Sequence, residues 1–127
     1  MNAQQDPSSA KAEAVTFAVG EKTVGNVVVL SVRGAIDMLT APQLADGIRA
    51  SQGRGPKVVI VDLSEVDFLA SAGMQVLVAA NENAGPDGRL VVVADGPATS
   101  RPLKITGITD FIALYPTLDE ALENVAV

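Results

Sequence analysis

The chain has no cysteine and no histidine in 127 residues. Without thiols there is no disulfide, no thiol nucleophile and no cysteine metal site. Without imidazole the commonest general acid–base group is missing and the usual zinc ligand sets cannot be built. An enzyme therefore loses most of its candidate chemistry, and no cofactor is expected. Positive charge is also scarce: nine Lys and Arg stand against fifteen Asp and Glu, for a net charge of −6. Such a surface repels nucleic acid and anionic membranes, so neither is expected as a partner. No apolar run approaches the roughly 20 residues that cross a bilayer. The opening MNAQQDPSSAKAEA lacks a basic stretch with an apolar one behind it, so a cytoplasmic protein is expected. Gly53-Arg54-Gly55-Pro56 precedes a strand pattern instead of following one, which is the wrong context for a phosphate-binding loop.

Hydrophobic residues are abundant (48%) but aromatics are few (3%). The core must be built from Val, Leu, Ile and Ala, which suits a valine-rich parallel or mixed sheet covered by helices. The length fits one domain. Residues 1–14 are polar, contain a proline and show no apolar periodicity, and read as a disordered N-terminal tail; residues 15–127 read as the folded domain.

Val15 to Val19 alternates, Gly20 to Gly25 reads as a turn, and Asn26 to Val32 is almost wholly apolar, which together predict an opening hairpin. After a turn at Gly34-Ala35-Ile36-Asp37, Thr40 is expected to cap a helix with Pro42 in its first turn, Gln43 three residues on, and Leu44, Ala45 and Ile48 on its inner face. Ser51 to Pro56 ends that helix. Lys57 to Val61 reads as a buried strand, an acidic turn follows, and a second helix runs from Ser71 to about Asn83. Arg89 to Ala94 is a further strand. A short third helix, capped at Thr99 or Ser100, carries Leu103 and Ile105 and stops at Gly107. Phe111 to Tyr115 gives a last strand, and Thr117-Leu118-Asp119-Glu120 opens a last helix with Leu118, Ala121, Leu122 and Val125 at helical spacing. The order β-β-α-β-α-β-α-β-α predicts a four- or five-stranded, mostly parallel sheet with one antiparallel edge strand and about four helices.

Asp62 to Gln75, DLSEVDFLASAGMQ, is the most informative stretch. It places Ser71 at a helix start, beside unpaired backbone N–H groups and the positive end of the helix dipole, where an attached phosphate is stabilised. The surroundings are small and nearly neutral: Leu69, Ala70, Ala72, Gly73 and Met74. A phosphate added there would face a docked partner as buried, unpaired charge. The plain alternative is that Ser71 caps its helix and Gly73 permits close packing. Asp62, Ser64, Glu65 and Asp67 invite a metal or acid–base reading, but they fit a solvated surface turn better, with Ser64 bonded to its own turn backbone.

A strand, then DLS, an aromatic residue and Ser-x-Gly opening a helix resembles the signature of the STAS domain, in particular that of bacterial anti-sigma factor antagonists. The resemblance runs from about Val15 to Val127 and includes Gly34 to Asp37, Asp62 to Gly73 and Leu103 to Ile108. It implies the STAS fold and a non-enzymatic partner switch. The unphosphorylated antagonist binds an anti-sigma factor and frees the sigma factor; phosphorylation of the matching serine, Ser71, makes it let go. It further implies that the anti-sigma factor is an ATP-dependent serine kinase and that a metal-dependent serine phosphatase restores Ser71. The Asp37 loop lies near that serine in the family, so the implied partner surface is Asp37, Leu69, Ala70, Ala72, Gly73 and Met74, on a chain expected to be monomeric; the plain alternatives are a turn acid ahead of the Thr40 cap for Asp37 and a core side chain for Met74. Family members usually carry Asp-Ser-Ser-Gly or Asp-Ser-Thr-Gly, whereas this chain has Ala70-Ser71-Ala72-Gly73; Ser71 is thus its single phosphoacceptor there. The alternative is a non-phosphorylated STAS scaffold or interaction module of a signalling or lipid-transport complex.

Overall fold

The computed structural model describes residues 17–125. The expected tail, residues 1–14, lies outside the described residues, as do Val15 and Thr16. Among the described residues five strands form one sheet in the order β1-β2-β3-β4-β5. These are β1 (Ala18–Val24), β2 (Val27–Ile36), β3 (Val58–Leu69), β4 (Arg89–Val93) and β5 (Ala113–Tyr115). β1 is antiparallel to β2 and the other neighbours are parallel. Helices α1 (Ala41–Gln52), α2 (Ser71–Asn83), α3 (Ser100–Ile105) and α4 (Leu118–Val125) make the connections and close the chain, with one 3-10 turn at Ile108–Asp110.

Within each central strand, outside the bulges, alternate residues face opposite sides, as a pleated sheet requires. Leu30, Val32, Val59, Val61, Leu90 and Val92 pack with Leu44 and Ile48 of α1, Leu77 of α2 and Leu103 of α3. Val27, Val29, Val58, Ile60, Val91 and Val93 pack under Ala121 of α4. Both faces of the central strands are therefore buried, which accounts for their continuous valine-rich runs. The side chain of Gln52 donates to the Ala80 carbonyl (2.9 Å) and ties the end of α1 to α2.

Several boundaries differ from expectation. Gly20 to Gly25 is not a turn: β1 runs on to Val24, and only Gly25 and Asn26 separate the paired residues Val24 and Val27. Glu21, Lys22 and Thr23 are all exposed on this edge strand, so no alternation marks them. Gly34 to Ile36 is likewise strand, and the acidic turn expected after Val61 belongs to β3. The reason is two bulges. Ser31 and Arg33 pair with Asp62 and Glu65, and Gly34 and Ala35 pair with Val66 and Phe68, so β3 gains one residue at each step. Each bulge stretches the buried spacing from two residues to three, leaving Leu63, Val66 and Leu69 on the core side. A strand with buried residues every third position does not read as one. Gly34 takes φ 100° at the second bulge, a conformation open to glycine at little cost.

Near the C-terminus, Phe111 and Ile112 precede the last strand instead of forming it, and Ile105 of α3 is 72% exposed. Thr99 precedes α3 without a side-chain capping bond. Thr117 does cap α4: its hydroxyl accepts the Glu120 N–H (3.1 Å). Ser51, expected beyond the end of α1, faces the core from its last turn with a buried hydroxyl that has no partner among the described residues. An unsatisfied buried hydroxyl costs about 1–3 kcal/mol, and alanine is the better helix former. Ser51→Ala should therefore raise unfolding stability by about 1 kcal/mol, read from the shift of a urea midpoint at constant slope.

Candidate functional site

Two chain segments leave the sheet side by side at the carboxyl end of β2 and β3. Ile36 is in register with Leu69, and the Ala70 N–H donates to the Ile36 carbonyl (2.9 Å), so the two strands stay paired up to the residue before α2. The next residues on either side are Asp37 and Ser71. The structure thus brings together two positions that are far apart along the chain.

Ala70 has extended backbone (φ −86°, ψ 168°) and occupies the N-cap position of α2, with no side-chain cap. Its carbonyl accepts the N–H groups of Gly73 (3.0 Å) and Met74 (3.2 Å). Ser71 is the first helical residue, one position past the cap; it is exposed, and its hydroxyl makes no hydrogen bond among the described residues. The plain alternative, a capping serine, is therefore not what the geometry shows. Gly73 sits beneath it. A Cβ at this position would collide with the branched side chain of Ile36 and come within 2.8 Å of Leu69 Cδ1. Glycine lets the first turn of α2 lie directly on the ends of β2 and β3.

The Asp37 segment is held rigidly by its own bonds. Asp37 Oδ1 accepts the N–H groups of Leu39 (2.9 Å) and Thr40 (3.0 Å), while the Thr40 hydroxyl accepts the Asp37 N–H (2.9 Å) and lies 2.8 Å from the Ala35 carbonyl, to which it donates. The Ala41 N–H donates to the Asp37 carbonyl (2.8 Å). This is a reciprocal capping box, but it is built by Asp37 and Thr40, three residues earlier than the Thr40 and Gln43 pair the sequence suggests. Thr40 itself has helical backbone (φ −96°, ψ −18°), so its hydroxyl looks back instead of forward.

The Thr40 backbone N–H, assisted by that of Leu39, holds the Asp37 carboxyl below the usual carboxylate range, against an opposing contribution from desolvation. A depressed folded-state value stabilises the turn fully above the ordinary value of 3.8 and loses that stabilisation as pH falls through the lower one. The Leu39 and Thr40 amide resonances should therefore shift on acidification with a midpoint below the ordinary carboxylate value. A midpoint at or above that value would contradict the bonding described.

This turn presents two large apolar residues that sequence reasoning missed. Met38 is 80% exposed and Leu39 84% exposed. The signal was present in Asp37-Met38-Leu39-Thr40: a turn that closes on its own first and last side chains has nowhere to bury the two between. A third contribution comes from α3, whose end abuts α2 where the Thr106 hydroxyl lies 3.7 Å from Met74 Sδ. Ile105 precedes that contact. Of the remaining expected surface residues, Ala70, Ala72 and Met74 are partly exposed, with Ala72 and Met74 also packing on the core. Leu69, only 5% exposed, and Gly73 are buried and support the surface from below.

The acids of the DLSEVD stretch do not converge. Asp62 Oδ1 accepts the Ser64 N–H (3.0 Å) at the first bulge, so the carboxylate and not the Ser64 hydroxyl holds this backbone. Glu65 lies 4.0 Å from Arg33 on the neighbouring strand. Among the described residues no group of three or more acids is placed to hold a metal ion, and no helix is long and apolar enough to cross a membrane.

With this geometry in place, comparison with known proteins defines the class. The STAS domain family matches residues 20–121. The anti-sigma-F factor antagonist RsfB of Mycobacterium tuberculosis is 35% identical over 113 residues, which span 89% of this chain and 91% of RsfB. The crystal structure of an anti-sigma factor antagonist from Mycobacterium paratuberculosis superposes with a TM-score of 0.85 at 42% identity, covering 88% of this chain and 96% of that one. The phosphorylated form of the Bacillus cell fate determinant SpoIIAA shares the fold at 18% identity, with a TM-score of 0.64 over 87% of this chain and 99% of its own. The chain belongs to the STAS domain family and, within it, to the anti-sigma factor antagonists. As such it is a regulator and not an enzyme.

Proposed function

We propose that this antagonist binds an anti-sigma factor through the surface formed by the Asp37 turn and the first turn of α2, and that phosphorylation of Ser71 ends the interaction. The observation that carries the reading is the placement of Ser71: an exposed hydroxyl on the first residue of α2, unencumbered by capping, beside the exposed Met38 and Leu39. Unmodified, the surface offers apolar area around a small neutral centre. A phosphate there adds about −1.5 to −2 charges at pH 7 and three acceptor oxygens. The helix start tolerates it, because the dipole and free N–H groups favour an anion. A partner packed over it does not, since its own groups would have to desolvate a dianion without pairing it.

In this reading the anti-sigma factor is a serine kinase acting on Ser71 and a serine phosphatase reverses the modification. Asp37 acts mainly by shaping the turn that carries Met38 and Leu39, while Ala70, Ala72 and Met74 form the contact around Ser71 on the support of Leu69 and Gly73. A non-phosphorylated scaffold would require a Ser71 that no kinase reaches, which its exposure argues against.

The test uses Ser71→Ala. Because the Ser71 hydroxyl caps nothing, the substitution should cost well under the roughly 1 kcal/mol of a lost cap. The variant should fold and bind an anti-sigma-F factor kinase as the parent does, while phosphosite mapping after incubation with that kinase and ATP finds no phosphate. Phosphate uptake by the Ala variant would assign the switch elsewhere.

A further inference from the structure

We propose that Met38 is a second, oxidative switch on the same surface: conversion of its thioether to the sulfoxide by a peroxide weakens partner binding independently of Ser71. This rests on the docking surface proposed above. The chain has no cysteine, histidine or tryptophan, so its three methionines are the side chains that a two-electron peroxide oxidant attacks. Met1 lies outside the described residues. Of the other two, Met38 is 80% exposed, on a turn whose hydrogen bonds between Asp37 and Thr40 keep it from folding back onto the core. Met74 is partly buried against the core, and its sulfur faces the Thr106 hydroxyl. Exposure favours attack at Met38.

The chemistry is self-contained once the oxidant is supplied. A sulfur lone pair of Met38 attacks the terminal oxygen of hydrogen peroxide, a sulfur–oxygen bond forms and the O–O bond breaks. The proton on the transferred oxygen passes to the departing hydroxide, which leaves as water. Sulfur is oxidised by two electrons and peroxide is reduced by two. The product replaces an apolar, adaptable side chain by a polar one with a strong acceptor, which a partner could bury only at the cost of an unpaired group. Methionine sulfoxide reductases return the thioether, so the change is reversible.

The experiment has two arms. Purified protein is titrated with hydrogen peroxide and mapped by peptide mass spectrometry; Met38 should gain an oxygen several-fold faster than Met74, with circular dichroism unchanged. Equal or faster oxidation of Met74 would overturn the proposal. In the second arm, affinity for purified anti-sigma-F factor of Mycobacterium tuberculosis is measured before and after peroxide and again after reductase treatment. The parent should lose about tenfold or more and recover. Met38→Leu, compared with its own untreated form, should lose less than about twofold; an equal loss in this variant would overturn the role of Met38. If the untreated parent does not bind this partner, the proposed function fails for it, while the first arm still decides whether Met38 is the oxidation site.

Discussion

Ser71→Glu should leave the fold intact and remove partner binding. At the first position of α2 a carboxylate meets the positive end of the helix dipole, a favourable interaction of about 0.3–1 kcal/mol at low ionic strength. The residue is exposed, so solvent screens the added charge from the neighbouring Asp37 carboxylate. Its melting temperature should stay constant or rise by a few degrees. At an interface the same carboxylate is desolvated among Ala70, Ala72 and Met74, none of which can pair with it, and truncating or mispairing a buried charge costs about 2–5 kcal/mol. The dissociation constant for the anti-sigma factor should therefore rise by on the order of a hundredfold or more. Calorimetry and thermal melting on the same preparation separate the two effects. An unchanged affinity together with an unchanged melting temperature would defeat the switch and favour a scaffold that docks through another face.

The element order and the pairing of a strand-borne Asp37 loop with the Ser71 helix were legible because they follow from strong signals. Alternating β and α patterns imply parallel strands, and parallel strands put the segments that follow them at one end of the sheet. The upper half of β3 was illegible because two bulges replace the period of two with a period of three at Leu63, Val66 and Leu69. Local rules did not reveal the cap of α1 either. Thr40, Pro42 and Gln43 spell a plausible start, and only the strand register, which delivers the chain at Asp37, shows that the helical path begins there. The apolar surface escaped for a related reason. Met38 and Leu39 gain their outward placement only from the Asp37 and Thr40 bonds, and Ile105 is exposed at the last position of α3. Each miss concerns a place where tertiary pairing overrides a local pattern, and two of them build the surface on which function is proposed.

The support beneath that surface gives the second large effect. Gly73→Ala removes a helix-destabilising glycine, which by propensity alone should stabilise the protein by about 0.8–1 kcal/mol. The packing opposes this. The new methyl would overlap the Ile36 Cγ2 methyl, which can move aside only by leaving the preferred χ1 rotamer of a β-branched side chain or by a shift of β2, and would crowd Leu69 at 2.8 Å. Ile36 and Leu69 are both buried, so neither can yield into solvent. Overpacking of this kind costs about 1–3 kcal/mol, and two buried neighbours crowded at once place it at the upper end, where it outweighs propensity. The expected net loss is about 1–2 kcal/mol, seen as a lower urea midpoint. Ile36→Leu moves the branch away from Cβ at nearly constant volume, so the pair Gly73→Ala with Ile36→Leu should recover part of the loss, and the double-mutant cycle should show a favourable coupling. The same shift lifts Ser71 away from the Asp37 turn, so phosphorylation by the partner kinase should slow in Gly73→Ala and recover in the pair. A Gly73→Ala protein more stable than the parent would show that α2 does not rest on Ile36, and the close seating of Ser71 beside Asp37 would lose its physical basis.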